Sequence, residues 1–388
     1  MYIYNPDNFH PEECLPKQLT AGLTKKLYDY SRLFLHILIN VQVKRNCKES
    51  TPLKHRILQD TIHFTGWPQI RELLVDAKVI DCDYRCIKGE KCYWYTLGEK
   101  YRERPVNRIQ LDNKELSKKH EFKEPELKSE AHKSIWHWLN QIEFDYEGAK
   151  ETLLNTKAKN AGLKWLSIEK LKYKDYFFHT DERGRVYHNI ANLWSEFRKH
   201  ITINGQQLVN IDISNSQPLI LAAKLKNDIT DNTLLLNRAA LSLNDLCADV
   251  ELYIKLAEAG KIYDYLMVEL GFNEAKRGWF KKKFFAEVLY AECNKNTKLA
   301  KKFTQLFPTV AAAICKYKEK DYTELPLQMQ KVEADLMING VCSQIDKSIP
   351  FITIHDSILT PLEHVQTVKN LIQSEFKKIG LSLTFGRH

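Results

Sequence analysis

Apolar residues recur at helical spacing over residues 21–46, where Leu23, Leu27, Tyr30, Leu33 and Ile37 share one stripe. A stretch at 53–62, and another from Thr65-Gly66-Trp67-Pro68 to about Ala77, predict two shorter helices. Thr65 is placed to cap the second, with Pro68 in its first turn, where a missing N–H is harmless. Two strand-like runs follow at 79–84 and 92–97, joined around Lys88-Gly89. Helix, helix and basic-tipped hairpin is the order of a winged helix, a variant of the helix-turn-helix scaffold. A protein-docking module has the same order. From 103 to 130 charge displaces hydrophobicity, as in Lys114-Glu115-Leu116-Ser117-Lys118-Lys119, which predicts a linker. Helical spacing resumes near Ile135 and runs to about Lys172. The expected division is therefore a domain over 1–102, a linker over 103–130 and a larger domain over 131–388.

The second half alternates strands and helices. Asn204-Gly205, between β-rich runs at 201–203 and 208–209, is a hairpin turn whose residues tolerate positive φ. Pro218 opens a helix expected to reach Leu225, and residues 273–290 predict another, with Phe280, Phe284 and Val288 on its core side. A further helix is expected over 328–344. Residues 351–354 and 358–359 form a second hairpin turning at His355-Asp356. Thr360-Pro361-Leu362-Glu363 reads as a capping box for a helix that stops near Gly380. The fold class is α+β.

Composition narrows the partners. At 388 residues and 44% hydrophobic, the chain has room for two or three cored domains. No uncharged apolar run approaches the roughly 20 residues that span a bilayer, so no membrane partner is expected. The start, Met1-Tyr2-Ile3-Tyr4-Asn5-Pro6-Asp7, lacks the regions of a secretory signal. Nine scattered cysteines suit a reducing compartment better than a disulfide framework. The expected location is the cytoplasm of a bacterial or phage-infected cell. Cys82, Cys86 and Cys92, with Cys14 or a histidine, do not have the spacing of a standard zinc knuckle and read better as thiols among strands. The formal charge is +9, and nine Lys/Arg between Lys276 and Lys302 face only Glu287 and Glu292. Such a patch favours polyanions: nucleic acid or nucleotides.

Three constellations carry candidate chemistry. Val209-Asn210-Ile211-Asp212-Ile213-Ser214 and Ile352-Thr353-Ile354-His355-Asp356-Ser357 each end a β-branched run on an aspartate. A strand holds such a carboxylate rigidly at the rim of a sheet, and two of them brought together make a site for two divalent cations. Taken alone, Asp212 could cap a helix and Asp356 fill a turn. Lys282, Ala286 and Tyr290 recur every four residues, with Arg277 and Lys281 on the adjacent stripe, a surface suited to a triphosphate and a base or sugar. In Asp181-Glu182-Arg183-Gly184-Arg185-Val186-Tyr187 two arginines flank a glycine, a pattern suited to phosphate or to a salt-bridged surface turn.

In this order the three resemble the single-subunit RNA polymerases of phages and mitochondria, whose palm and fingers core is shared by family A DNA polymerases. The likeness spans roughly residues 175–388. It implies a right-hand fold with an antiparallel palm sheet, helical fingers and thumb, beside the winged-helix-like domain. It further implies Asp212 and Asp356 holding two Mg2+ (or Mn2+) ions, and Lys282, with Lys281 as register alternative, meeting the incoming triphosphate. Arg277, Tyr290, Gln217 and Ser214 would line the substrate site. Arg183 and Arg185 would touch template and product strands, and His355 the growing end. The implied partners are a nucleic-acid template, its product strand and nucleoside triphosphates. Departures exist: Ala291 replaces the glycine that commonly follows the tyrosine, Gly278 stands four before Lys282, and Gln217 replaces the glutamate with which family A DNA polymerases exclude ribose. Gln217 and the Arg-Gly-Arg turn favour ribonucleotides and a primase-like role, with deoxyribonucleotide synthesis as the alternative. A metal-dependent nuclease and a non-catalytic replication initiator are the rival readings.

Overall fold

A computed structural model describes residues 1–17, 21–45, 50–53, 58, 67–85, 92–111, 113, 114, 116, 124–156, 161–230, 243–294 and 296–386. The chain divides into two units that interleave. The first takes Met1–Glu126, Glu143–Phe177 and His188–Thr202, and the second Leu127–Ile142, Phe178–Tyr187 and Ile203–His388.

In the first unit, strand Tyr2–Pro6 pairs antiparallel with Val106–Gln110, Ile3 opposite Ile109. Helix Ala21–Arg45 buries Leu33, Phe34 and Leu38, and the Phe34 ring packs on Trp67 at 4.3 Å and Tyr95 at 5.4 Å. Helix Trp67–Asp76 precedes a three-stranded sheet in which Trp94–Leu97 lies between Ser50–Pro52 and Ile80–Cys82. The helix expected over 53–62 falls almost wholly outside the described residues, as do Thr65, Cys86 and the hairpin tip at Lys88-Gly89.

Two expected boundaries move. Residues 106–110 are a strand, not linker: the Arg108 guanidinium lies 3.7 Å from the Tyr2 ring centroid and 4.4 Å from that of Tyr173, and this cation–π packing accommodates a charge within a strand. Residues 112, 115 and 117–123 of the expected linker lie outside the described ones. The helical run expected from Ile135 to Lys172 breaks into Glu130–Asn140, Tyr146–Asn155 and Ala161–Lys172. Asp145 starts the middle piece by accepting from the Gly148 N–H at 3.0 Å. The last piece packs on Val106–Gln110 and Ala21–Arg45, so it belongs with the first unit.

The second unit carries the predicted carboxylate strands. Asn204 and Gly205, at φ 52 and 71, make the turn into strand Gln206–Asp212. That strand pairs antiparallel with Ser357–Pro361, which also pairs with Ile352–Ile354. Ile211, Ile352, Ile358 and Leu359 are buried, as a sheet covered by helices requires. Helix Ser216–Thr230 follows the first strand, and Leu243–Glu258, Ile262–Glu269, Arg277–Phe284, Lys298–Leu306, Pro308–Tyr317 and Glu324–Ala334 come between the strands. The capping box at 360–363 does not form. Thr360 stays in its strand and donates to the Pro350 carbonyl at 2.8 Å, and helix Val365–Lys378 starts only after a 3-10 turn at Leu362–His364. Cys293 and Cys315 are bonded through sulfur, their Cα atoms 5.6 Å apart, a pairing at odds with the reading of the cysteines as scattered thiols. Among the described residues no helix is long and apolar enough to cross a membrane.

Candidate active site

All the residues that follow belong to the second unit. The two aspartates, 144 positions apart in sequence, meet because their strands are neighbours. In the pairing register Asp212 stands opposite Ser357, one residue from Asp356. Asp356 sits in a two-residue hairpin turn whose other member, His355, is left-handed at φ 53. That region is uncommon for any side chain and is tolerated best by residues such as histidine, asparagine and aspartate. The Asp356 carboxyl opens onto the site yet is crowded by protein. Burial, then the carboxylates of Glu333 and Asp212, push it up to about 7, while Lys281 pulls the other way.

Lys281 faces this position from the regular part of the basic helix, and an irregularity follows it. Phe280 and Phe284 take the core stripe of Arg277–Phe284, both fully buried. The backbone then widens into a π-helical stretch, Phe285–Leu289, closed by Tyr290 N–H to the Phe285 carbonyl at 2.7 Å. A π-turn adds one residue per turn and moves later side chains round the axis. Tyr290 therefore stacks on Phe285, at 5.1 Å between centroids, instead of continuing the stripe of Lys282. Lys281 and Phe285 line the cavity; Lys282 is exposed on the neighbouring stripe. The register alternative is thus the residue the fold places at the carboxylates. Lys318 closes the irregular stretch, its ammonium donating to the carbonyls of Val288 and Ala291 at 2.8 Å each.

The Asp-Glu-Arg-Gly-Arg turn is organised by its own acid. Asp181 accepts from the backbone N–H of Arg183 and of Arg185, both at 3.0 Å, and from the Arg183 Nε at 2.8 Å. Burial opposes its charge, yet these bonds hold the carboxyl below its ordinary range. Gly184 takes φ 85, which closes the turn without a Cβ clash. The turn separates the arginines: Arg183 also donates to Gln330 at 3.1 Å, while Arg185 reaches Glu333.

Glu333 is the functional residue that sequence reasoning missed. It is 3% exposed, and its two oxygens accept from Arg185 Nη2, from Ser216 Oγ at 3.0 Å and from Gln217 Nε2. A signal existed. Leu325, Met329 and Glu333 recur every four residues on helix Glu324–Ala334, so this glutamate occupies an apolar phase. A charge there needs partners, and it has three. Around it opens a cavity of about 170 Å³ lined by Arg185, Ser216, Gln217, Tyr263, Lys281, Phe285, Glu333, His355 and Asp356. Arg185 Nε and Gln217 Oε1, on two of these lining residues, are buried with no hydrogen-bond partner among the described residues.

The other predicted residues fall around this centre. His355 lines the cavity, its ring edge-on to Tyr187 at 5.4 Å. Arg277 is turned away, bonded to Asp264 at 2.8 Å. Ser214 is not in the cavity lining: its N–H donates to Thr384, and Gly260 packs so close that a Cβ there would lie 2.8 Å from Ser214 Cβ. Its expected place is taken by Ser216, because the chain turns at left-handed Asn215 (φ 58) before the helix begins. Among the described residues no group of three or more His, Cys, Asp or Glu forms a ready-made metal cage. Two clustered aspartates, one resisting ionisation, fit a magnesium ion that completes its shell with water and substrate phosphates. Comparison with protein-family models and with curated proteins finds no match for this chain.

Proposed function

We propose that the second unit is a template-directed nucleotidyl transferase that joins a nucleoside triphosphate to the 3′-hydroxyl of a growing strand. The observation that carries this reading is that Asp212 and Asp356 meet at neighbouring strand ends, and that Asp356 shares one cavity with Lys281 and Arg185. Magnesium held by the two aspartates would supply Lewis-acid activation of the hydroxyl and neutralise the leaving pyrophosphate. The residues of the chain do the rest. Lys281 presents a point charge to the triphosphate. Phe285, backed by the stacked Tyr290, offers an aromatic surface to base or sugar. Ser216 and Gln217 border the sugar position, and His355 and Arg185 face the strand end. Holding these groups on strands and braced helices fixes the reacting atoms in line, which is most of what phosphoryl transfer needs from a protein.

A cation in the cavity favours transfer over hydrolysis, because a nuclease has no triphosphate to grip. The test is extension of a labelled strand on a single-stranded template, with ribo- or deoxyribonucleotides and with or without primer. Ribonucleotide incorporation is expected, and Asp212→Asn and Asp356→Asn should each lower it by about 100-fold or more. Incorporation that persists in both variants would overturn the reading. Strand shortening without nucleotides would replace it with a nuclease.

A further inference from the structure

The basic helix has a second working face. Lys281 points to the carboxylate cavity; Trp279, two residues earlier, lies about 200° round the axis and is 51% exposed. This large indole is not loose. Phe272 meets it edge-on at 5.5 Å and itself packs at 5.7 Å on Phe280, which is fully buried. Beside it Gly278 leaves bare backbone, with nothing within 4 Å of where a Cβ would stand. Lys282 and Lys283 lie one turn after Trp279 on the same face, and Lys276 ends the 3-10 turn that leads into the helix, three positions before it. Lys283 sits 5.4 Å from the indole centroid and is also bound to Glu287. Lys276 and Lys282 are exposed and have no ion-pair partner among the described residues.

A braced aromatic face, open on one side and ringed by ammonium groups, has the makings of a stacking platform for an unpaired base whose flanking phosphates meet the lysines. Positive charge around the ring selects a polyanion, and an unstacked base completes the burial that the half-covered indole lacks. A duplex keeps its bases stacked inside and offers no such surface.

We infer that Trp279, with Lys276 and Lys282, is a binding site for single-stranded nucleic acid, on the side of the basic helix turned away from the carboxylates. The site extends the proposed function, in which this strand is the template. Its test needs none of that chemistry. The full chain carrying Asp356→Asn is titrated with fluorescein-labelled oligo-dT, without triphosphates or divalent ions, and read by anisotropy. Trp279→Ala should weaken binding by about 5- to 100-fold, with Trp279→Phe close to the parent. Lys282→Gln should reduce the slope of log Kd against log salt by about 0.7. Unchanged melting temperature and circular dichroism confirm that the variants are folded. Oligo-dT binding by Trp279→Ala equal to the parent, or an equal loss with a duplex, would overturn the inference. Binding that survives while extension assays fail leaves this site standing and removes only the transferase.

Discussion

At the residue scale, Asp356 is costly to the fold, and its cost has a direction. The Asp356 carboxyl is raised towards about 7 in the folded chain by burial and by its acidic neighbours. Between the ordinary carboxylate range and pH 7 the folded chain therefore holds more protons than the unfolded one. Stability from this group falls as pH rises through that window and is lowest above it. Asp356→Asn removes the penalty. Without divalent ions it should raise the melting temperature by a few degrees at pH 8 and leave it nearly unchanged at pH 4, measured by calorimetry. A variant less stable than the parent at pH 8 would contradict the crowding described. Glu333 behaves oppositely. Glu333→Ala strands the Arg185 guanidinium and two polar partners in a buried setting and should cost about 3 kcal/mol in urea unfolding. Glu333→Gln, which keeps an acceptor, should cost less than half of that.

At the scale of elements, what the sequence reveals depends on the regularity of the backbone. The carboxylate strands were legible because β-branched runs with a clean turn, such as Asn204-Gly205, have few alternatives. The Asp212–Asp356 juxtaposition needed only that two such strands pair. The phase of the basic helix was not legible beyond Phe284, since a π-turn is set by tertiary packing, including the Lys318 clamp on Val288 and Ala291. That one added residue shifts Tyr290 relative to the lysines, so its spacing does not tell which of Lys281 and Lys282 faces the cavity. Lys281→Ala should lower kcat/KM for the triphosphate by about 10- to 100-fold, whereas Lys282→Ala, assayed at saturating template, should leave triphosphate use within about twofold. Equal losses in both would mean that the two lysines share the cavity. The capping box at 360–363 failed for a related reason: Thr360 hydrogen-bonds within the sheet, and a local motif cannot outbid a paired strand.

At the scale of the molecule, composition misled where a strand carried charge. Residues 106–110 look like the start of a linker, but Arg108 is held between two tyrosine rings and the segment pairs with the first strand. A fragment cut at residue 131 would therefore keep the helices Tyr146–Asn155 and Ala161–Lys172 while losing the strand and helix that the latter packs on. Such a fragment should bind a hydrophobic dye and be digested at these helices far faster than the full chain. A fragment as protease-resistant as the whole would show that these two helices stand without that strand and helix of the first unit.

The interleaving also bears on synthesis at the ribosome. The backbone passes between the two units five times, and the first unit has all of its residues once position 202 has emerged. The second must wait for strand Ser357–Pro361 before Asp212 gains its neighbour. A nascent chain can thus finish one unit early, yet no translation product stalled before that strand has Asp212 and Asp356 in place together. On the proposed function, premature chains would be born inert towards nucleotides, and protection against futile chemistry would come from the order in which the polypeptide is made.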